Sequence, residues 1–254
     1  MANQVALITG GASGIGKETA IKLAKKGITV AISGRRGELG AAALKEIEAV
    51  AKDGAKVRFI RNDVTNEADV KAMIAEIVSE FGSLDMAVNN AGISNETASL
   101  DHSDTAKYKV MVDTNILGLY YCMKYEIAQM LAQGKGSIVN LASIAGINGI
   151  AWTGSYASTK HAVVGLTKSA ALDHATQGVR INGVAPGACK TDIIGAQLAG
   201  NDPNYNEASI SAMHPMNRLG LPVEIANGIV WLLSDEASFV TGHILAIDGG
   251  FTAK

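Results

Sequence analysis

Short runs rich in apolar residues recur along the chain, separated by longer stretches of mixed polarity rich in helix-forming residues. The first run, Val5, Ala6, Leu7 and Ile8, passes into a glycine-rich turn at 10–16 and a helical stretch to about residue 26. A second apolar run at 28–32, and the stretches 57–60, 84–88, 137–141, 180–184 and 243–247 that continue the pattern, read as strands. The stretches 37–51, 66–81, 103–133 and 153–177 read as helices, and a last helix follows Pro222, a residue suited to a first helical turn. Strands apolar on both faces and separated by helices predict a parallel sheet covered on both sides. Right-handed crossovers make this an α/β fold with a doubly wound, Rossmann-type sheet. No linker, repeat or low-complexity segment divides the sequence, so one domain over 1–254 is expected.

An α/β chain of 254 residues buries roughly three quarters of its unfolded surface and needs neither disulfide nor metal for stability. A formal net charge of −2 speaks against nucleic acid, which demands a concentrated basic surface. No apolar run reaches the length of a membrane span, and the sequence opens on a strand rather than a signal segment. Cys122 and Cys189 are the only cysteines and stand in unlike contexts, so a reducing cytoplasm is the expected location.

Candidate chemistry begins at Gly10, Gly11, Ser13, Gly14, Ile15 and Gly16, between the first strand and its helix. Glycines let the backbone turn sharply and approach a ligand, and a helix N-terminus offers unpaired N–H groups to an anion. No Gly-Lys-Ser/Thr follows, which disfavours a nucleoside triphosphate. The second strand ends at Ser33, Gly34, Arg35 and Arg36, with no acidic residue before Glu38. A carboxylate there would serve the ribose 2′-hydroxyl of NAD, whereas an arginine holds the 2′-phosphate of NADP by charge-assisted bonds. NADP(H) is therefore favoured, through Arg35 first and Arg36 second, with NAD(H) the lesser choice; Ser13, where another basic residue would have helped, counts against it. Tyr156 and Lys160 lie four apart in the 153–177 helix and so share one face. A phenol titrates near 10, and a fixed cation beside it favours the phenolate, which would let Tyr156 exchange a proton with an alcohol or alkoxide.

With Asn89-Asn90-Ala91-Gly92, Ser143, Tyr156-x-x-x-Lys160 and Pro186-Gly187 in this order, the sequence resembles the short-chain dehydrogenase/reductase family. The likeness runs from Gly10 to Asp248-Gly249-Gly250. It implies that Tyr156 is the catalytic acid/base, and that Lys160 lowers its pKa and bonds the nicotinamide ribose. Ser143 would polarise the carbonyl. Asn115 would hold a water linking Lys160 to solvent. Asp63 and Val64 would meet the adenine, and Asn90, Ala91 and Gly92 the cofactor beyond the fourth strand. Pro186, Gly187 and Thr191 would carry the nicotinamide carboxamide, and a homotetramer is implied.

The segment 192–218 reads as the least regular part and as a lid over the site, with Ile193, Ile194, Leu198, Met213 and Met216 as its apolar residues. Ile144, Asn148, Ile150 and Trp152 would form the opposite wall, with Ala188 beside the cofactor turn. This lining carries no Arg or Lys before Arg218, which points to a neutral small-to-medium ketone or secondary alcohol. A sugar dehydrogenase and a 3-oxoacyl-thioester reductase are the enzymatic alternatives; the latter is weakened because 125–133 lacks the basic residues an acidic carrier would need. A dinucleotide-binding regulator without turnover is the alternative outside catalysis. The five histidines have no ligand-like spacing, so no metal is expected, and Cys189 reads as a small lining residue.

Overall fold

The structure, a computed structural model, describes residues 4–198 and 206–253. The strands are β1 (Val5–Thr9), β2 (Thr29–Gly34), β3 (Val57–Arg61), β4 (Met86–Asn89), β5 (Gly136–Leu141), β6 (Val179–Pro186) and β7 (Ile244–Ile247). They form one seven-stranded sheet in the order β3-β2-β1-β4-β5-β6-β7, parallel throughout. The helices are α1 (Gly14–Ala24), α2 (Gly37–Glu48), α3 (Glu67–Phe81), α4 (Thr105–Val112), α5 (Gly118–Gln133), α6 (Gly154–His174), α7 (Asp192–Leu198), α8 (Glu207–Ala212) and α9 (Pro222–Leu233). Among the described residues no helix is long and apolar enough to cross a membrane.

Two apolar cores follow from the pleat, because successive strand residues point to opposite faces. Val5 and Leu7 pack with α3, α5 and α6 through Val70, Met73, Ile127, Met130 and Val163. Ala6 and Ile8 pack with α1, α2 and α9 through Leu23, Ile47, Ile225 and Ile229. Leu7 and Ile8 are both completely buried, and a side chain of that size contributes about 1.5–3 kcal/mol when withdrawn from water. Local chemistry sets the element ends: Asn66 accepts from Ala68 N and Asp69 N to cap α3, and Gly82, at φ 87°, ends it in the left-handed conformation.

Two readings need correction. The 103–133 stretch is helical but interrupted, since a π turn at Asp113–Leu117 separates α4 from α5. The 192–218 segment is not irregular where described: α7 and α8 lie in it, and α8 closes its own N-terminus through Asn206 and Ser209, each accepting from the other's backbone N–H. The part of the expected lid at 199–205 lies outside the described residues. Strand order reverses between β1 and β4, where ligands of open α/β sheets bind beyond the carboxyl ends of the strands.

Candidate active site

The glycine turn lies on that edge. Gly10 and Gly14 adopt φ of 64° and 53°, a backbone that side chains other than glycine rarely take. A Cβ on Gly16 would stand 2.5 Å from Asn90 Nδ2 and 2.6 Å from Gly10 O. Asn90 Nδ2 donates to Thr9 O (3.1 Å) and Gly10 O (3.0 Å), and Thr9 Oγ1 accepts from Asn90 N and Ala91 N, both at 3.1 Å. The Asn90 amide and the Ala91 backbone therefore brace the turn against β4. Ser13 makes no side-chain cap bond and α1 has no acid in its first turn, so the helix presents its N–H groups without a competing carboxylate. Ile15 and Thr191 flank the turn, the Thr191 side chain 3.4 Å from the Cβ position of Gly14.

At the end of β2, Arg35 and Arg36 are exposed and form no ion pair among the described residues, and a Cβ on Gly34 would meet open space. Asp63 is partly engaged, its Oδ1 accepting from Thr65 N (3.0 Å) and Thr65 Oγ1 (2.9 Å). Val64 packs against Gly118, where a Cβ would come within 2.8 Å of it.

Ser143, Tyr156 and Lys160 meet beyond β5. Ser143 continues the extended strand and its Oγ accepts from Ala145 N at 3.1 Å, capping a short 3-10 turn. Its hydroxyl also hydrogen-bonds the Tyr156 phenol. Lys160 is buried one helical turn on, with Nζ 5.8 Å from the Tyr156 ring centroid. Sharing one face brings the two together, as their spacing predicts. The electrostatics differ from expectation. Burial pushes the phenol up to about 12, against a lowering by the Ser143 hydrogen bond. Burial also takes Lys160 down to about 8, and its Nζ donates to Leu141 O at 2.7 Å. In the protein alone desolvation therefore outweighs the Ser143 hydrogen bond, and the phenol is not held low.

Asn115 falls in the π turn and is buried. Its Oδ1 accepts from Ile93 N (2.8 Å), while Nδ2 donates to Ile93 O (2.9 Å) and Thr159 Oγ1 (3.0 Å). The side chain thus fixes the loop after β4 to α6. A Cβ on Gly92 would stand 3.3 Å from Asn115 Oδ1 and 3.4 Å from Lys160 Nζ, so the absence of one leaves the ammonium room.

A cavity of about 750 Å³ joins these parts. Its walls include Ile15, Asn90, Gly92, Pro186, Gly187 and Thr191 together with Ser143, Ile144, Ile150, Trp152, Tyr156, Ala188, Ile193 and Met213. Asn148 is not in the lining. His214, Phe251, Ile93 and Ile210 are, although sequence reasoning gave them no place. His214 is buried, with Nδ1 facing Ile210 O at 3.0 Å and Nε2 accepting from Ala188 N at 3.1 Å. These two bonds tie α8 to the turn after β6 through the ring. The one available signal was negative: this histidine was the wrong spacing for a metal and sat before a proline, which says nothing of its contacts.

A family model described as Enoyl-(Acyl carrier protein) reductase matches residues 10–252. The 2,5-dichloro-2,5-cyclohexadiene-1,4-diol dehydrogenase of Sphingobium indicum is 42% identical over 254 residues, covering 100% of this chain and 98% of that one. The cyclohexanol dehydrogenase of an Acinetobacter species is also 42% identical, covering 99% of this chain and 96% of its own. A solved structure described as ElxO with NADP bound superposes with a TM-score of 0.91 at 40% identity, covering 99% of this chain and 100% of that chain.

Proposed function

The chain belongs to the short-chain dehydrogenase/reductase family, and from that premise we propose that it is an NADP(H)-dependent oxidoreductase interconverting a neutral secondary alcohol and its ketone. The observation that carries this reading is the convergence of Ser143, Tyr156 and Lys160 on one cavity that Ile15 of the glycine turn also lines. Relatives named for cyclohexanol and for a chlorinated cyclohexadienediol support a ring-bearing alcohol or ketone.

The chain fits a dinucleotide on its own geometry: left-handed glycines at 10 and 14, an α1 N-terminus without an acid, and guanidinium groups after β2 that form no ion pair among the described residues. Gly10, Ser13, Gly14, Ile15 and Gly16 would hold the pyrophosphate, Asp63 and Val64 the adenine, and Arg35 with Arg36 the 2′-phosphate. Asn90, Gly92, Pro186, Gly187 and Thr191 would border the nicotinamide half. When bound, the cofactor supplies or takes up the hydride.

The side chains do the rest. Ser143 donates to the substrate oxygen and steadies negative charge there. Tyr156 gives its phenolic proton to that oxygen in reduction and recovers it in oxidation. A phenol raised by burial is protonated across the neutral range, which suits the proton-donating direction. Lys160 sets a cation near the ring oxygen, and Asn115 fixes the loop that bears Gly92. The described parts of 192–218, through Ile193 and Met213, would close over the substrate and exclude water. Exposed Val110 and Tyr120 on α4 and α5, with Leu172 on α6, support burial of these residues in a homotetramer. The test is a panel of ketones with NADPH and NADH, following nicotinamide absorbance. Turnover of neutral cyclic ketones with NADPH supports the reading, whereas activity confined to 3-oxoacyl thioesters would replace it.

A further inference from the structure

Trp152 holds a conformation its side chain disfavours. Its φ is 65°; Asp53 and Asn217 share the left-handed region, but Asp and Asn tolerate it and a bulky aromatic residue does not. The surrounding chain enforces the strain: Trp152 O accepts from Ala98 N at 2.9 Å, and Thr153 bonds back to Ile150 O through its Oγ1 at 2.9 Å. The result is an indole on the wall of the active-site cavity that is nevertheless 63% exposed. Met213 and Ile193, which also line the cavity, are 40% and 38% exposed. Strain of this kind is retained where neighbouring structure over-determines it, commonly at ligand clamps.

Volume says what such a clamp would grip. An apolar cavity of about 150 Å³ holds one benzene-sized ring. Here the cavity is about 750 Å³, and a nicotinamide with its ribose would take about two such shares. Space for about three ring-sized units remains, walled by Ile93, Ile144, Ile150, Ile193, Ile210 and Met213. A single six-membered ring seated at Ser143 and Tyr156 would leave much of that wall and the exposed rim facing water.

Resting on the oxidoreductase reading above, we propose that Trp152 is a specificity-determining residue whose indole covers the outer rings of a neutral, fused-ring ketone or alcohol, the substrate class this cavity is built to take. The hydride and proton steps are those already described; what Trp152 adds is binding remote from the reacting carbon, so its effect falls on KM.

The experiment measures NADPH-dependent reduction of cyclohexanone, a two-ring decalone and a three-ring perhydrophenanthrenone by the wild type and by Trp152→Phe, Trp152→Gly and Trp152→Asn, with a melting curve for each. Wild-type kcat/KM should rise about tenfold or more from one ring to two, mainly through KM. Trp152→Gly should lose that rise, its KM for the two-ring ketone approaching its KM for cyclohexanone, and melt no lower than the wild type, because glycine adopts the left-handed conformation freely. Trp152→Asn tolerates the same backbone and gives the same reading where the glycine variant folds poorly; Trp152→Phe should keep most of the rise. A wild type that prefers cyclohexanone, or a ring-dependent rise that survives in the glycine and asparagine variants, overturns the inference alone. Inactivity of the wild type on every ketone overturns the oxidoreductase reading, and the inference with it.

Discussion

Glu126 lies fully buried on α5, its Oε2 accepting from Asn89 Nδ2 at 2.8 Å while Oε1 and Asn89 Oδ1 have no partner among the described residues. Burial pushes its carboxyl up to about 7, although the Asn89 bond works in the opposite direction. The folded chain therefore holds this proton more tightly than the unfolded chain, whose carboxyl titrates near 4.5. The stability it contributes is complete below about 4.5 and is lost as pH rises to about 7, a loss on the order of 3 kcal/mol. Glu126→Gln removes the charge and offers Asn89 a donor, so it should exceed the wild type in urea resistance at pH 8, with the gap closing at pH 4. A wild type as resistant as the variant at pH 8 would show that the carboxylate is accommodated. Arg35 presents the opposite case, a charge free for a ligand. Arg35→Asp should weaken NADPH binding by about tenfold or more and NADH binding little, measured by cofactor fluorescence titration. Equal losses would remove the 2′-phosphate from the account.

Among the elements, α8 is short yet supplies Ile210 and leads directly into Met213 and His214 on the cavity wall. Its N-terminus depends on Asn206, which accepts from Ser209 N at 3.0 Å. Losing such a cap costs a helix about 1 kcal/mol, so Asn206→Ala should raise substrate KM by about fivefold while global melting barely moves. An unchanged KM would separate α8 from substrate binding. Elements of this size explain what the sequence left unread. Long helices announce themselves because period and burial repeat over many residues, and β1 does so through its apolar run from Val5 to Ile8. The helices α7 and α8 span 7 and 6 residues, too few for a pattern to emerge among polar neighbours. The π turn was equally silent, since inserting a residue into a helix alters its hydrogen bonds and not its composition.

For the whole molecule, the legible part of the site was the part written in fixed spacings. Tyr156 and Lys160 share a helical face, and the glycine turn sits between a strand and its helix. His214 and Phe251 reach the same cavity from distant chain positions, and only the assembled sheet edge unites them. The direction of the Tyr156 shift was also beyond the sequence, because it depends on how deeply the packed chain encloses the phenol. The exposed apolar residues of α4, α5 and α6 belong to this scale too: light scattering should return about four times 26.3 kDa, and a monomer would leave Leu172, 80% exposed, without its proposed cover. The central claim is that Tyr156 exchanges the proton that accompanies hydride transfer, and Tyr156→Phe tests it most directly. With a cyclic ketone and NADPH, the variant should bind the cofactor as the wild type does and lose about 100- to 10,000-fold in kcat; turnover equal to the wild type would contradict the account.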